Sequence, residues 1–246
     1  MNNKQNLIDL GSQTAKNGFK NEEGICAKFN HWQSDEIAQK WLVIMGYDLS
    51  QIKSVKAVIL SGYKADINLQ VFVFYKEVVD IKNIQVKLVS NKKGFNQIDK
   101  RWVKSYQELW HFDDNIGQLL RYFTGELKKG SKKRLLMNEF TDNEQIMLLN
   151  WFKNNKILVL SDILRGRGEF SAEWMLVAQK LSQNSRWALK NINEVLQHYG
   201  DGDVVISPRG SLKIGRVTMQ RKGGDNGQPT ANMLQFKIDP AELFEL

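Results

Sequence analysis

Apolar residues recur at helical spacing over Ala15–Trp32 and again over Ser34–Met45, after which the pattern changes to that of strands. Val55–Ser61 is rich in β-branched residues. Asp66–Tyr75 alternates, with Asp66, Asn68 and Gln70 on one face and Ile67, Leu69 and Val71 on the other, and Asn83–Ser90 repeats the alternation, setting Gln85, Lys87 and Val89 against Ile84, Val86 and Leu88. The spacing of Trp102, Tyr106, Leu109, Trp110, Leu119 and Phe123 predicts helix across Ile98–Phe123, followed by a basic loop with Lys128, Lys129, Lys132, Lys133 and Arg134. Thr141 and Glu144 have capping-box spacing before Ile146–Trp151 and so predict a helix start. Ile157–Leu160 reads as a buried strand, Ala172–Leu181 and Arg186–Tyr199 as helices, and Asp201–Phe236, glycine-rich with many β-formers, as a strand-built lobe. The class predicted is α/β, a mixed sheet flanked by helices.

Composition narrows the partners. The chain has 246 residues and a formal net charge of +8, which favours polyanions, and 42% hydrophobic residues suffice for a sizeable core. Cys26 is the only cysteine, which excludes an intramolecular disulfide framework and a multi-cysteine zinc site and fits a reducing compartment. The N-terminal residues carry no charged-then-apolar signal pattern, and the longest apolar runs, such as Trp41–Met45, fall far short of the ~20 residues a membrane span needs. A cytoplasmic protein without membrane attachment is expected. The tail is basic, with Arg209, Lys213, Arg216, Arg221 and Lys222, and between Val204 and Asp239 its only acid is Asp225.

Four residues offer chemistry. Gln85 and Lys87 project from one face of their strand, and Asp66 joins them if the two strands are neighbours. A carboxylate and an amide carbonyl are hard oxygen ligands suited to Mg²⁺, and the ammonium beside them could polarise an attacking water. The alternative is an Asp66–Lys87 ion pair on the solvated side of a hairpin. In the first helix Phe19, Glu22, Cys26 and Phe29 form one stripe, so Glu22 is an acid on an apolar face, able to complete an acidic cluster; a first-turn carboxylate favoured by the helix dipole is the other reading. His31, His111 and His198 have no ligand spacing to one another.

Asp-(x18)-Gln-x-Lys after a Glu-bearing helix resembles the PD-(D/E)xK nuclease core, and the strings SVKAVILSGYKADIN, NIQVKLVSNKKGFNQIDK, LVLSDILRGRGEF, NINEVLQHYG and GRVTMQRKGGDNG closely resemble type II restriction endonucleases that cut GCGC. The resemblance runs over nearly the whole chain. It implies a single nuclease domain over 1–246, with a catalytic core over about 10–125 and a basic, β-rich DNA-recognition region over about 160–246. It also implies Mg²⁺-dependent cleavage of both strands of a short palindrome with a two-base 5′ overhang, in a bacterial cytoplasm where a cognate methyltransferase protects host DNA. The implied metal ligands are Asp66, Gln85 and Glu22, and the implied catalytic lysine is Lys87. Two positions depart from the wider pattern: Ala65 stands where the motif name has proline, and Gln85 where an acid is usual. A neutral Gln85 supplies an oxygen without charge, so the metal should lean on Glu22 and on the DNA phosphate.

Double-stranded DNA as partner gives the basic tail a role. Guanine O6 and N7 are best read by Arg or Lys, and Arg209, Arg216, Gln220, Arg221, Lys222, Asn232 and Gln235 stand among glycines that allow close approach. Solvated strand charge is the plainer reading of the same residues. Arg165 and Arg167, with Lys92, Lys93 and Lys100, suit phosphate contacts, which add salt-dependent affinity without sequence information. In Gly94-Phe95-Asn96-Gln97, Phe95 suits a wedge between base steps, beside Gln97, or a place in the core. The same basic lobe would also serve a non-catalytic sequence-specific DNA-binding protein, which has no need of Asp66, Gln85 and Lys87 on one strand edge. An RNA-processing nuclease shares the metal chemistry but would carry a recognisable RNA module, and none is present. Monomer and homodimer remain equal expectations.

Overall fold

The computed structural model describes residues 2–73, 77–91, 94–181, 184–224 and 228–246. The chain divides into two compact units, one of residues 1–94, 165–195 and 240–246, the other of 95–164 and 196–239.

The first unit is built on a five-stranded sheet. Its strands are β1 (Ile52–Ile59), β2 (Ile67–Val73), β3 (Val78–Val89), β5 (Trp174–Leu181) and β6 (Asn184–Asn191), in the order β1-β2-β3-β5-β6. All neighbours are antiparallel except β3 and β5, which pair in parallel with Gln85 opposite Met175. Helices α1 (Asn2–Asn30) and α2 (Glu36–Ile44) contribute Phe29, Trp41 and Leu42 to a core that takes Ile67, Leu69 and Val71 from β2 and Ile84 and Val86 from β3. Each such side chain, fully buried, stabilises the fold by roughly 1.5–3 kcal/mol. Asp35 starts α2, its carboxylate accepting from the backbone N–H of Ile37 and Ala38 at 3.0 Å each while Lys28 donates to it at 2.8 Å.

The second unit has its own sheet, β4 (Asn96–Arg101), β10 (Leu234–Ile238), β9 (Val217–Arg221), β8 (Leu212–Ile214) and β7 (Val204–Ile206), antiparallel throughout in that order. With it go α3 (Val103–Trp110), α4 (Asp114–Thr124), α5 (Asp142–Asn154) and α6 (Lys156–Leu164). Tyr106, Trp110 and Phe236 pack ring on ring, with centroids 4.5 Å apart for the two stacked rings and 5.4 and 5.8 Å for their edge contacts to Phe236. Buried polar tips find partners: Trp110 Nε1 donates to Asp162 at 2.6 Å, and the Tyr106 hydroxyl to Asp99 at 2.6 Å. The capping box at Thr141 is present in both directions, Thr141 N–H donating to Glu144 at 3.0 Å and Glu144 N–H to the Thr141 hydroxyl at 3.4 Å.

Four expectations are corrected. Ala172–Leu181 is strand β5, a central strand whose Met175, Leu176 and Val177 are all buried. Strands covered on both faces lose their alternation, and periodicity then does not separate them from buried helix. Arg186–Tyr199 is the end of β6 followed by helix α7 (Ile192–Gly200). Ile157–Leu160 lies in α6, where Ile157 is 86% exposed while Val159 and Leu160 are buried, a helical sampling of one apolar run. Ile98–Arg101 is strand β4, and the helical stretch after it breaks at His111, which closes α3 in the left-handed conformation at φ 55°, before Asp113 caps α4 by accepting from Ile116 N–H at 2.9 Å.

Candidate active site

β2 and β3 are direct neighbours, pairing Ile67 with Ile84 and Asn68 with Asn83, and continuing that register sets Asp66 opposite Gln85. The hairpin thereby brings Asp66, Gln85 and Lys87 to one face, as the alternation predicts. Below them the same face is a ladder of amides: Gln70 donates to Asn68 at 3.1 Å, Asn68 to Asn83 at 2.9 Å, and Asn83 to the Glu169 carbonyl at 2.8 Å. These bonds satisfy buried polar groups that an all-apolar face would not need, and they fix the register on which the site depends.

Asp66 is anchored at both ends. Its backbone N–H donates to Ile84 O at 2.9 Å, and its Oδ2 accepts from Val86 N–H at 2.6 Å. Burial pushes its carboxyl above the ordinary carboxylate range, against the pull of Lys87, the Val86 N–H and Lys64. Gln85 is 2% exposed. Its Nε2 donates to Lys64 O at 3.3 Å, while its Oε1 is buried with no hydrogen-bond partner. Lys87 is half-buried and makes no ion pair among the described residues, so the Asp66–Lys87 surface pair is not formed; its charge still reaches both Asp66 and Glu22.

Glu22 sits in the interior of α1, not in its first turn, which removes the helix-dipole reading. In its stripe Cys26 and Phe29 are buried while Phe19 is exposed. Burial first, then the Asp66 carboxylate, raise the Glu22 carboxyl to about 7, with Lys87 pulling the other way. A carboxyl with a raised folded-state value keeps its proton where the unfolded chain has released it, so its stabilisation is full below the ordinary value of 4.5 and is lost as pH rises through about 7. In EDTA, the urea midpoint of the wild type should therefore fall between about pH 5 and pH 8 by more than that of Glu22→Gln. Equal declines in the two chains would show that Glu22 is not the titrating group.

Two carboxylates raised by burial and a carbonyl oxygen without a donor form an oxygen-rich set that a divalent cation would relieve. Among the described residues no three His, Cys, Asp or Glu side chains form a metal-binding group. The Arg165–Gly168 loop of the same unit lies against Lys64, two residues before Asp66. A side chain at Gly166, whose φ is +81°, would meet Cβ and Cγ of Lys64 at 2.6 Å, so only glycine allows the approach that holds exposed Arg165 and Arg167 there.

Of the remaining predicted contacts, Lys92 and Lys93 lie outside the described residues. Phe95 is 61% exposed and so is not a core residue. In the second unit Gln220 donates to Gln235 at 3.4 Å and Gln235 to Gln97 at 2.7 Å, an amide ladder across β9, β10 and β4. Arg221 donates twice to Asn232 Oδ1, at 3.1 and 2.8 Å, and Asn232 Nδ2 donates to Gly125 O at 3.1 Å. Arg216 donates to Asp201 at 3.0 Å, and Arg209 is exposed in the turn before β8. Burial, then Lys100, hold the Lys222 ammonium below its ordinary value. The sequence gives no hint that Lys133 and Arg134 come to Arg221, yet with Gly125 and Asn232 they line one cavity of ≈ 160 Å³. Burial first, and the nearby Arg134 second, hold the Arg221 guanidinium below its ordinary value.

A model of the R.HinP1I restriction endonuclease family matches residues 45–244, a span that contains Asp66, Gln85 and Lys87. No curated protein matches. Among solved structures, the crystal structure of restriction endonuclease MspI in complex with its cognate DNA has a TM-score of 0.67, with 15% sequence identity over 94% of this chain and 92% of that chain. At that identity the likeness is one of fold, and it agrees with a PD-(D/E)xK-like core of mixed sheet and flanking helices. With most of its length inside the family match, the chain belongs to the R.HinP1I restriction endonuclease family and is a type II restriction endonuclease.

Proposed function

We propose that the protein is a Mg²⁺-dependent deoxyribonuclease that cuts both strands of GCGC in double-stranded DNA and leaves a two-base 5′ overhang. The observation that carries the metal part of the proposal is the unpaired, buried Oε1 of Gln85, opposite Asp66 in the register, whose carboxylate acts electrostatically on Glu22; the GCGC site and the stagger rest on the resemblance of the sequence strings. Asp66 and Gln85 would hold the metal, with Glu22 joining directly or through water, and Mg²⁺ when bound would supply Lewis acidity for phosphodiester hydrolysis. Lys87 acts on the attacking water or on the charge developing on the phosphate, and the Val86 N–H keeps the Asp66 carboxylate in place. The low-charge ligand set makes the wild type demand more free metal than a site with two acids on the strands.

Arg165 and Arg167, with Lys92 and Lys93, bind backbone phosphates. The Lys133, Arg134 and Arg221 cavity suits a further phosphate, whose charge would offset the crowding of the two guanidinium groups. Base reading then falls to Arg209, Arg216, Gln220, Lys222, Asn232, Gln235 and Gln97, with Arg221 contributing where it clears Asn232. The whole of 1–246 works as one nuclease domain, with the core over about 10–125 and recognition over about 160–246, in a bacterial cytoplasm beside a protecting methyltransferase. Either one chain nicks each strand in turn or a homodimer cuts both. No helix among the described residues is long and apolar enough to cross a membrane.

Incubation with a plasmid of known sequence, with Mg²⁺, Mn²⁺, Ca²⁺ or EDTA, and sequencing of the product ends tests site, stagger and metal together. Cleavage is expected with Mg²⁺ and Mn²⁺ and binding alone with Ca²⁺; rapid cleavage in EDTA would remove the metal assignment. Phe95 has a separate test. A core phenylalanine loses ~3–5 kcal/mol on truncation, whereas exposed Phe95→Ala should leave the melting temperature nearly unchanged and, acting as a wedge, reduce DNA bending and cleavage together. Unchanged bending would leave Phe95 without that role.

A further inference from the structure

The face of β3 that carries Gln85 and Lys87 continues to Asn83, and opposite it on β2 stands Asn68. Both amides are buried. Asn83 is bonded to three parts of the first unit: its Oδ1 accepts from Asn68 Nδ2 at 2.9 Å, its N–H donates to the Glu173 carboxylate at 3.1 Å, and its Nδ2 donates to Glu169 O at 2.8 Å. The last of these bonds leaves the sheet.

Glu169 belongs to the exposed loop that presents Arg165 and Arg167, a loop closed on itself by Ala172 N–H donating to Arg165 O at 2.7 Å and Ser171 N–H to Gly168 O at 3.1 Å. The loop is also tied to the segment that leads into β2. Phe170 O accepts from Ala65 N–H at 3.3 Å, the Phe170 and Tyr63 rings lie 4.3 Å apart, and Gly166 packs on Lys64, whose carbonyl accepts from Gln85 Nε2. The two arginines therefore ride on a loop fastened to the strands that carry Asp66 and Gln85. A pair of leucines at 68 and 83 would fill the same space without any polar group to satisfy, but it would offer Glu169 O no donor. What the amides add is direction.

We propose that Asn83 is a positioning residue for cleavage, which by holding Glu169 O fixes Arg165 and Arg167 relative to Asp66, Gln85 and Lys87. Its role rests on the reading of Arg165 and Arg167 as phosphate contacts. A loosened loop keeps its two charges, and attraction between charges extends over about 10 Å at moderate salt, so DNA affinity survives. Rate is more demanding, because a misplacement of about 1 Å at the reacting groups can cost ~100-fold.

Melting temperatures in EDTA, DNA affinities in Ca²⁺ and single-turnover rates at saturating DNA and Mg²⁺, on a duplex that the wild type cuts, test the role in the full chain. Asn83→Ala should lower both the melting temperature and the rate. In Asn68→Leu/Asn83→Leu two bonded amides give way to apolar side chains of like volume, so the melting temperature should return to near the wild-type value. The rate should stay about 100-fold down, with affinity within about threefold of wild type. A ladder that serves stability alone predicts that rate returns with melting temperature, and that result would overturn the proposal, as would a loss of affinity equal to the loss of rate. Should the double variant not fold, Asn83→Asp keeps an oxygen for Asn68 and removes only the donor to Glu169 O; cleavage at the wild-type rate by that chain would overturn the proposal equally. Arg165→Ala/Arg167→Ala separates the two layers, since it should weaken binding in Ca²⁺ at least tenfold. Unchanged affinity there would remove the phosphate reading and the role of Asn83 with it, whereas weakened affinity beside fully active Asn83 variants would remove the role of Asn83 alone.

Discussion

Lys87→Ala is expected to keep site-specific DNA binding in Ca²⁺ and to lose cleavage by orders of magnitude. A group that acts mainly in the transition state lowers the rate when removed far more than it weakens ground-state binding. Lys87 has the placement for that role. It shares a strand face with Gln85, is half-buried, spends its ammonium on no ion pair among the described residues, and acts electrostatically on Asp66 and Glu22. Asp66→Ala should stop cleavage by a different route, lost metal occupancy, so raised Mg²⁺ or Mn²⁺ should partly restore Asp66→Ala and leave Lys87→Ala inactive. Single-turnover time courses over a metal titration separate the two. A fully active Lys87→Ala would end the assignment of catalysis to this strand edge.

Gln85→Leu should separate stability from activity. Its Oε1 is buried without a partner, and such a group costs about 1–3 kcal/mol in the metal-free fold; the Nε2 bond to Lys64 O is worth about 0.5–1.5 kcal/mol. Replacing both by a side chain of similar volume therefore leaves stability in EDTA unchanged or raised, while cleavage falls by orders of magnitude because the strand no longer offers the metal an oxygen. Gln85→Glu should do the opposite. A third carboxylate beside two that burial already raises costs stability without metal, but it should lower the Mg²⁺ concentration needed for cleavage. Urea midpoints in EDTA and cleavage rates across a Mg²⁺ series measure both sides, and wild-type cleavage by Gln85→Leu would refute the ligand role.

Much of the site is visible in local pattern because a β-hairpin writes its geometry into the sequence. Alternation over Asp66–Tyr75 and Asn83–Ser90 suffices to put Asp66, Gln85 and Lys87 on one face, and the antiparallel pairing of β2 with β3 needs only the short connection between them. Helices α2 and α5 are equally legible, since Asp35 and the Thr141–Glu144 box are caps formed by residues near in sequence; of α1 the pattern shows only the part after Ala15, and the helix begins at Asn2. Legibility fails where distant chain decides. β5 looks helical until β3 and β6 flank it, and α6 looks like a strand until its buried residues are sampled at helical spacing.

The sequence by itself determines the α/β class, the basic tail, the strand edge that bears Asp66, Gln85 and Lys87, and the likeness to a nuclease family. Those properties are carried by residue type and by spacings of a few positions. Only the tertiary structure decides that Gln85 Oε1 is left unpaired, that Arg134 comes to Arg221, and that the Asn21 and Trp41 N–H groups are buried without acceptors. Each of these depends on which groups far apart in the chain share a volume from which water is excluded. Exclusion of water is a property of the packed fold, and no local window of sequence contains it.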